Sequence, residues 1–130
     1  MIREFKNADY GIVRATVVKK QPYFCLIDIA RLFGIQNSKT CLFKIPSSDI
    51  EKIEISQEKN KNKRIFINAK HINTCLFKSK KTEAQLIIDW LYRIVIPQLI
   101  KYIEYDMILK LQKGIINVEE FIKEIDNWFN

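Results

Sequence analysis

Glycine, proline and cysteine each occur only three times among 130 residues, and histidine only once. So few glycines and prolines leave little room for long flexible linkers, and no glycine-rich phosphate loop is present. Cys25, Cys41 and Cys75 are odd in number and widely spaced. That pattern fits reduced, buried thiols rather than a disulfide framework. With one His71 and no Cys-x-x-Cys pair, four N/S ligands for zinc cannot be gathered from local pairs, so neither a metal nor a cofactor is expected. No run of eighteen uncharged apolar residues exists, so no membrane span and no membrane partner are expected. The first twenty residues carry Arg3, Glu4, Lys6, Asp9 and Arg14, which is unlike a signal peptide. No nucleophile has an evident base. The cysteines sit among apolar neighbours, and the acidic pairs Asp49/Glu51 and Glu119/Glu120 read as helix-start or solvent charges. The expectation is a protein that is not an enzyme.

What is present in quantity is apolar and basic. Hydrophobic residues make up 48% of the chain, enough for one folded domain, and the formal charge is +7 with a pI near 9.3. The charge is unevenly placed. Residues 1–100 hold 18 Lys and Arg against 9 Asp and Glu, whereas residues 101–130 hold 4 against 6. A polyanion should therefore meet the first hundred residues. The abundance of Ile, Asn and Lys also suits an AT-rich coding sequence, which raises the lysine count without any function.

Along the chain, "IVRATVV" at 12–18 is β-branched and suits a strand, with "KKQP" at 19–22 as a turn and "YFC" at 23–25 as the return strand. Pro22 is expected to end the pairing. From Leu26 the period changes: Leu26, Ile29, Ala30 and Phe33 recur at helical spacing. Gly34 can close that helix, and Asn37 or Ser38 can cap a second over 38–44 with Cys41 and Leu42 inward, stopped by Pro46. "IEIS" and "IFI" read as strands flanking a charged tip, "QEKNKNKR" at 57–64. Asn68 can cap a short helix reaching Phe77. A helix starting at Ser79 or Thr82 should bury Ala84, Ile87, Ile88, Leu91, Ile94 and Val95, and Pro97 should kink or end it. Two further helices are expected at 101–113 and 117–129, separated by Gly114, with Asn117 and Glu120 forming a capping pair. The fold class is α+β: a small antiparallel sheet or hairpins packed with several helices, plus a helical C-terminal extension. The expected division is 1–101 and 102–130.

Several short motifs now fall in order. Phe5, Asn7, Gly11, Val13 and Arg14 open the chain; Asp28-Ile29-Ala30-Arg31-Leu32-Phe33-Gly34 follows; then Asn37-Ser38-Lys39-Thr40-Cys41; then Ser79, Lys80, Glu83, Ala84, Trp90, Val95, Ile96, Pro97 and Leu99. This series resembles the Bro N-terminal domain of phage antirepressors and of baculovirus repeated open reading frame proteins, over about residues 3–101. The resemblance implies an α+β DNA-binding module without catalytic activity, in a transcriptional regulator from a phage, prophage or virus. It implies an intracellular setting: bacterial cytoplasm, or host cytoplasm or nucleus for a eukaryotic virus. The pattern departs at Thr82, where the family usually has proline.

Three basic runs are candidates for contact with duplex DNA. In a helix-turn-helix-like corner, Arg31, Ser38, Lys39, Thr40 and Lys44 are the exposed candidates, with Asn37 better placed to cap than to read adenine. Asp28 repels phosphate and suits a turn or cap. The hairpin tip offers Lys59, Lys61, Lys63 and Arg64. The turn at 78–81 offers Lys78, Ser79, Lys80 and Lys81. Tyr23, Phe24, Phe33, Phe43, Phe66 and Phe77 fall on strand and helix interiors and are expected in the core rather than stacked on bases. Trp90, off the main stripe, is free to face the last thirty residues or a second subunit. The rival reading is a protein-binding antirepressor whose partner is a repressor or host protein. Residues 101–130 carry a heavy apolar load, which either completes the core or forms a homodimer surface.

Overall fold

A computed structural model describes residues 2–55, 63–76 and 79–129. Five strands form one antiparallel sheet: β1 (Arg3–Asn7), β2 (Gly11–Val18), β3 (Gln21–Cys25), β4 (Ile50–Glu54) and β5 (Lys63–Asn68), in spatial order β1-β2-β3-β5-β4. The helices are α1 (Leu26–Leu32), α2 (Ile72–Leu76), α3 (Ala84–Trp90), α4 (Ile96–Gln112) and α5 (Val118–Phe129). The architecture is α+β.

β1 shows little alternation because Phe5 alone in it is buried. It is joined to β2 by a turn in which the Asn7 side chain accepts the backbone N–H groups of Asp9 and Tyr10. The β2–β3 turn is two residues, Lys19 and Lys20, both at positive φ (50° and 67°), as a tight primed hairpin turn demands. Pro22 does not end the pairing. It sits opposite Val17, while pairing with β5 on the other side begins only at Tyr23 opposite Asn68, so its missing N–H costs no ladder bond.

Alternation along the central strands sorts their side chains to two faces. Val13, Ala15, Phe24 and Ile67 join α1, α3 and α4 in the main core, with Ile29, Phe33, Ile87, Leu91, Val95 and Leu99. Tyr23, Cys25, Phe66 and Ile55 form a smaller cluster on the opposite face.

α1 buries Leu26, Ile29, Ala30 and Leu32, followed by Phe33. It closes with Gly34 at φ +69°, the N–H of Ile35 reaching the Ala30 carbonyl (2.8 Å) and that of Gly34 the Arg31 carbonyl (3.2 Å). This is a Schellman closure, and it needs a residue that tolerates positive φ. The next element, Ser38–Lys44, is a 3₁₀ helix rather than an α-helix. The Asn37 side chain accepts the Lys39 N–H, Thr40 donates its hydroxyl back to the Asn37 carbonyl, and Pro46 bars Ile45 from helical conformation. These local bonds compete with α-helical ones and favour the tighter turn.

The long helix differs from expectation in three ways. It begins at Ala84 instead of Ser79 or Thr82, because the Ser79 hydroxyl is engaged elsewhere. Pro97 does not end it: a π turn over Leu91–Val95 precedes Pro97, with Ile96 donating to Leu91, and the helix runs on to Gln112 through residue 101 without a break. The wider turn shifts the hydrogen-bond register just where proline lacks a donor. It also turns Ile94 out to solvent, while Leu91, Val95 and Leu99 keep the buried stripe. Trp90 packs its ring 6.2 Å from that of Tyr10 in the β1–β2 turn. Gly114, at φ +72°, closes α4, and the Asn117 side chain caps α5 by accepting the Glu120 N–H (2.8 Å). Among the described residues no helix is long and apolar enough to cross a membrane.

Candidate nucleic-acid interface

The platform under the basic side chains is set by Asp28. It lies in the first turn of α1 with a side chain only 2% exposed. It is neither a turn residue nor a cap. Its Oδ2 accepts both the backbone N–H (2.9 Å) and Nε (2.8 Å) of Arg14, and its Oδ1 accepts Nη2 (3.0 Å). This forked pair ties α1 to β2 and neutralises the buried carboxylate. Exposed Arg31 adds a looser contact, its Nη1 3.5 Å from Asp28 Oδ1.

The end of α1 is fastened next. The Ser79 hydroxyl donates to the Phe33 carbonyl (2.7 Å), and its oxygen accepts the Lys81 N–H (3.2 Å). The Lys81 methylenes lie over Gly34, where an added Cβ would come within 3.1 Å of Cε. Ser79 and Lys81 thus serve first to clamp the segment to α1. Lys80, exposed between them, lines an open groove with Gly34, Ile35, Gln36 and Thr40.

On another side of the same 3₁₀ turn, Ser38 and Lys39 meet Lys63, Arg64 and Ile65 of β5 and Cys25, Leu26 and Ile27 in a cleft of about 170 Å³. That volume suits a phosphate group or a side chain and is below the range for a small-molecule pocket. Among the described residues, neither cleft is lined by a carboxylate. Among the described residues, Lys39, Lys44, Lys63 and Lys80 enter no ion pair. Burial and the nearby Asp28 push the Cys25 thiol above its usual range, keeping it protonated in the cleft.

Of the sequence candidates, Ser38, Lys39, Lys63 and Arg64 share one cleft, and Thr40 and Lys80 share the other. Arg31 and Lys44 line neither. Lys59, Lys61 and Lys78 lie outside the described residues, as does Phe77. Tyr23, Phe24, Phe33 and Phe66 are core residues, but Phe43 is 91% exposed. Its signal was available at a period of three: in a 3₁₀ helix residues 40 and 43 share a face, away from buried Cys41. Further away, Asp49 accepts His71 Nε2 (2.7 Å) with Lys70 Nζ at 3.4 Å, and the His71 hydrogen bond, reinforced by Lys70, lowers the Asp49 pKa. Among the described residues no group of three or more His, Cys, Asp or Glu is arranged to hold a metal ion.

An antiparallel sheet braced by helices, with two clefts beside a capped 3₁₀ turn whose described lining holds no carboxylate, defines a small α+β module with a basic surface. The model of the BRO family N-terminal domain matches residues 13–97, and the chain belongs to that family, which is associated with DNA-binding antirepressor-like proteins of phages and viruses. Comparison with curated proteins and with solved structures gave no match.

Proposed function

We propose that this chain is a DNA-binding regulator of the phage or viral antirepressor type, without catalytic activity, which contacts duplex DNA through the surface built around residues 38–44. The observation that carries this reading is the convergence of Ser38 and Lys39 with Lys63 and Arg64 in one cleft that, among the described residues, no acid lines. Thr40 and Lys80 extend the basic surface into the adjoining groove. The contacts expected from such a surface are mainly to phosphate, because lysines at a short 3₁₀ turn act as point charges and carry no base code. The test is fluorescence anisotropy with mixed-sequence duplex DNA across a salt series. With about six cations on phosphates, log K should fall against log salt with a slope of roughly −5. A slope near zero, or no binding at low salt, refutes the reading.

A second reading, a protein partner, is favoured by one observation. Tyr102, Tyr105 and Ile108 of α4, with Ile115, Val118 and Ile122 in and before α5, are all exposed. A repressor, a host protein or a second copy of this chain would cover such a face. Light scattering at tens of micromolar tests the second copy, and a monomer there refutes it.

A further inference from the structure

Phe43 is the most exposed large apolar side chain among the described residues, at 91%. Phe5, Phe24, Phe33 and Phe66 are all buried. Nor can Phe43 readily turn inward. The 3₁₀ helix is pinned at its start by the Asn37 cap, in its middle by buried Cys41, and at its end by buried Ile45 before Pro46. At three residues per turn, residue 43 must share the outward face with Thr40, which lines the groove with Lys80. Lys44 follows it, and Lys39 opens into the neighbouring cleft. A rigidly presented aromatic ring flanked by lysines that, among the described residues, enter no ion pair matches a nucleic-acid surface, where the charges take phosphates and the ring takes the apolar space between bases.

We propose that Phe43 is a wedge that enters a base step of duplex DNA and partly unstacks it; this rests on the DNA-binding reading above. A stacking platform for single strands needs several aromatic rings along a groove, and this element presents one. A single apolar wedge is the device that kinks a duplex, and the deformation is cheapest at pyrimidine–purine steps. The lysines around it hold the backbone while the step opens.

The experiment uses the full chain and duplexes carrying 2-aminopurine at a TA step or within a stiff A-tract, with anisotropy measured alongside. Wild type is expected to raise 2-aminopurine fluorescence at the TA step and much less in the A-tract. Phe43→Ala should bind roughly 10-fold more weakly with an unchanged salt slope and no fluorescence rise. Phe43→Leu, still an apolar wedge, should keep part of the rise. Exposure of the ring means that both variants should melt like wild type, which circular dichroism checks. If wild type binds with the expected salt slope while Phe43→Ala matches it in affinity and fluorescence, the wedge is overturned and the DNA reading stands. If wild type binds no DNA at low salt, both fall. If Phe43→Ala alters only self-association, the ring belongs to a protein interface and the wedge is overturned.

Discussion

Replacing Asp28 by alanine removes the acceptor for three Arg14 hydrogen bonds, one from its backbone and two from its side chain. The carboxylate is 2% exposed and the Arg14 side chain 17%, so water reaches the guanidinium only in part. Breaking a buried pair typically costs 3–5 kcal/mol, and the partial exposure of Arg14 places this one at the low end, about 3 kcal/mol. For a chain of this length that lowers the melting temperature by about 10 °C. Asp28→Asn keeps the volume and one acceptor but loses the charge, and should cost about 1.5 kcal/mol. Adding Arg14→Met to Asp28→Asn should recover stability relative to Asp28→Ala, because the asparagine oxygen still takes the residue 14 N–H and no guanidinium is left without its counterion. Urea unfolding followed by circular dichroism measures all three. An Asp28→Ala loss below about 1 kcal/mol, or a double variant no more stable than Asp28→Ala, would refute the argument that this pair anchors α1 to the sheet.

Gly34→Ala forces a side chain into φ +69° and against Lys81, and should cost about 1 kcal/mol in thermal unfolding; a neutral change would show that the Schellman closure is not needed. Lys39→Ala and Lys63→Ala should each flatten the DNA salt slope by about 0.9 and, combined, by about twice that, whereas unchanged slopes would remove the shared cleft from the interface. Asp49 has a lowered pKa, so its bond to His71 stabilises the fold above the ordinary carboxylate value of 3.8 and is lost as pH falls through the lower folded value. The stability gap between wild type and Asp49→Asn should therefore be steady just above that value and close below it. A gap that opens as pH falls would contradict the sign.

The elements that could be read from the sequence are those whose evidence is local. Leu26, Ile29, Ala30 and Phe33 repeat at the helical period, Gly34 permits the closure, and Asn37, Asn68 and Asn117 each accept a nearby N–H as a cap should. What stayed hidden depends on distant partners. Nothing around Asp28 announces that its counterion is Arg14, fourteen residues away across a strand. Ser79 looks like a helix start until its hydroxyl is found on the Phe33 carbonyl. Phe43 and Pro97 failed for a different reason: Phe43 lies within a 3₁₀ helix and Pro97 just after a π turn, so a stripe drawn at 3.6 residues per turn misplaces them.

The same distant ties explain how a surface of flexible lysines acquires a shape. A lysine side chain carries its charge on four rotatable bonds, and only its backbone origin can be fixed in advance. Here each origin is fixed by a different bond. Arg14 and Asp28 hold α1 on β2, Gly34 turns the chain into the Asn37 cap, Ser79 binds the segment bearing Lys80 to the end of α1, and pairing with β4 holds the start of β5. Two of these fasteners, Ser79 and Asp28, carry no net positive charge and do not line either cleft. Their removal should therefore weaken DNA binding without changing its salt slope, since the number of phosphates met is unchanged while more disorder must be lost on binding. Ser79→Ala separates these contributions most cleanly, because it frees the Lys80 segment while leaving every cation in place. A loss of slope on that substitution would instead mean that freeing the segment takes Lys80 off its phosphate, so that the Ser79 bond sets the number of contacts and not only their order.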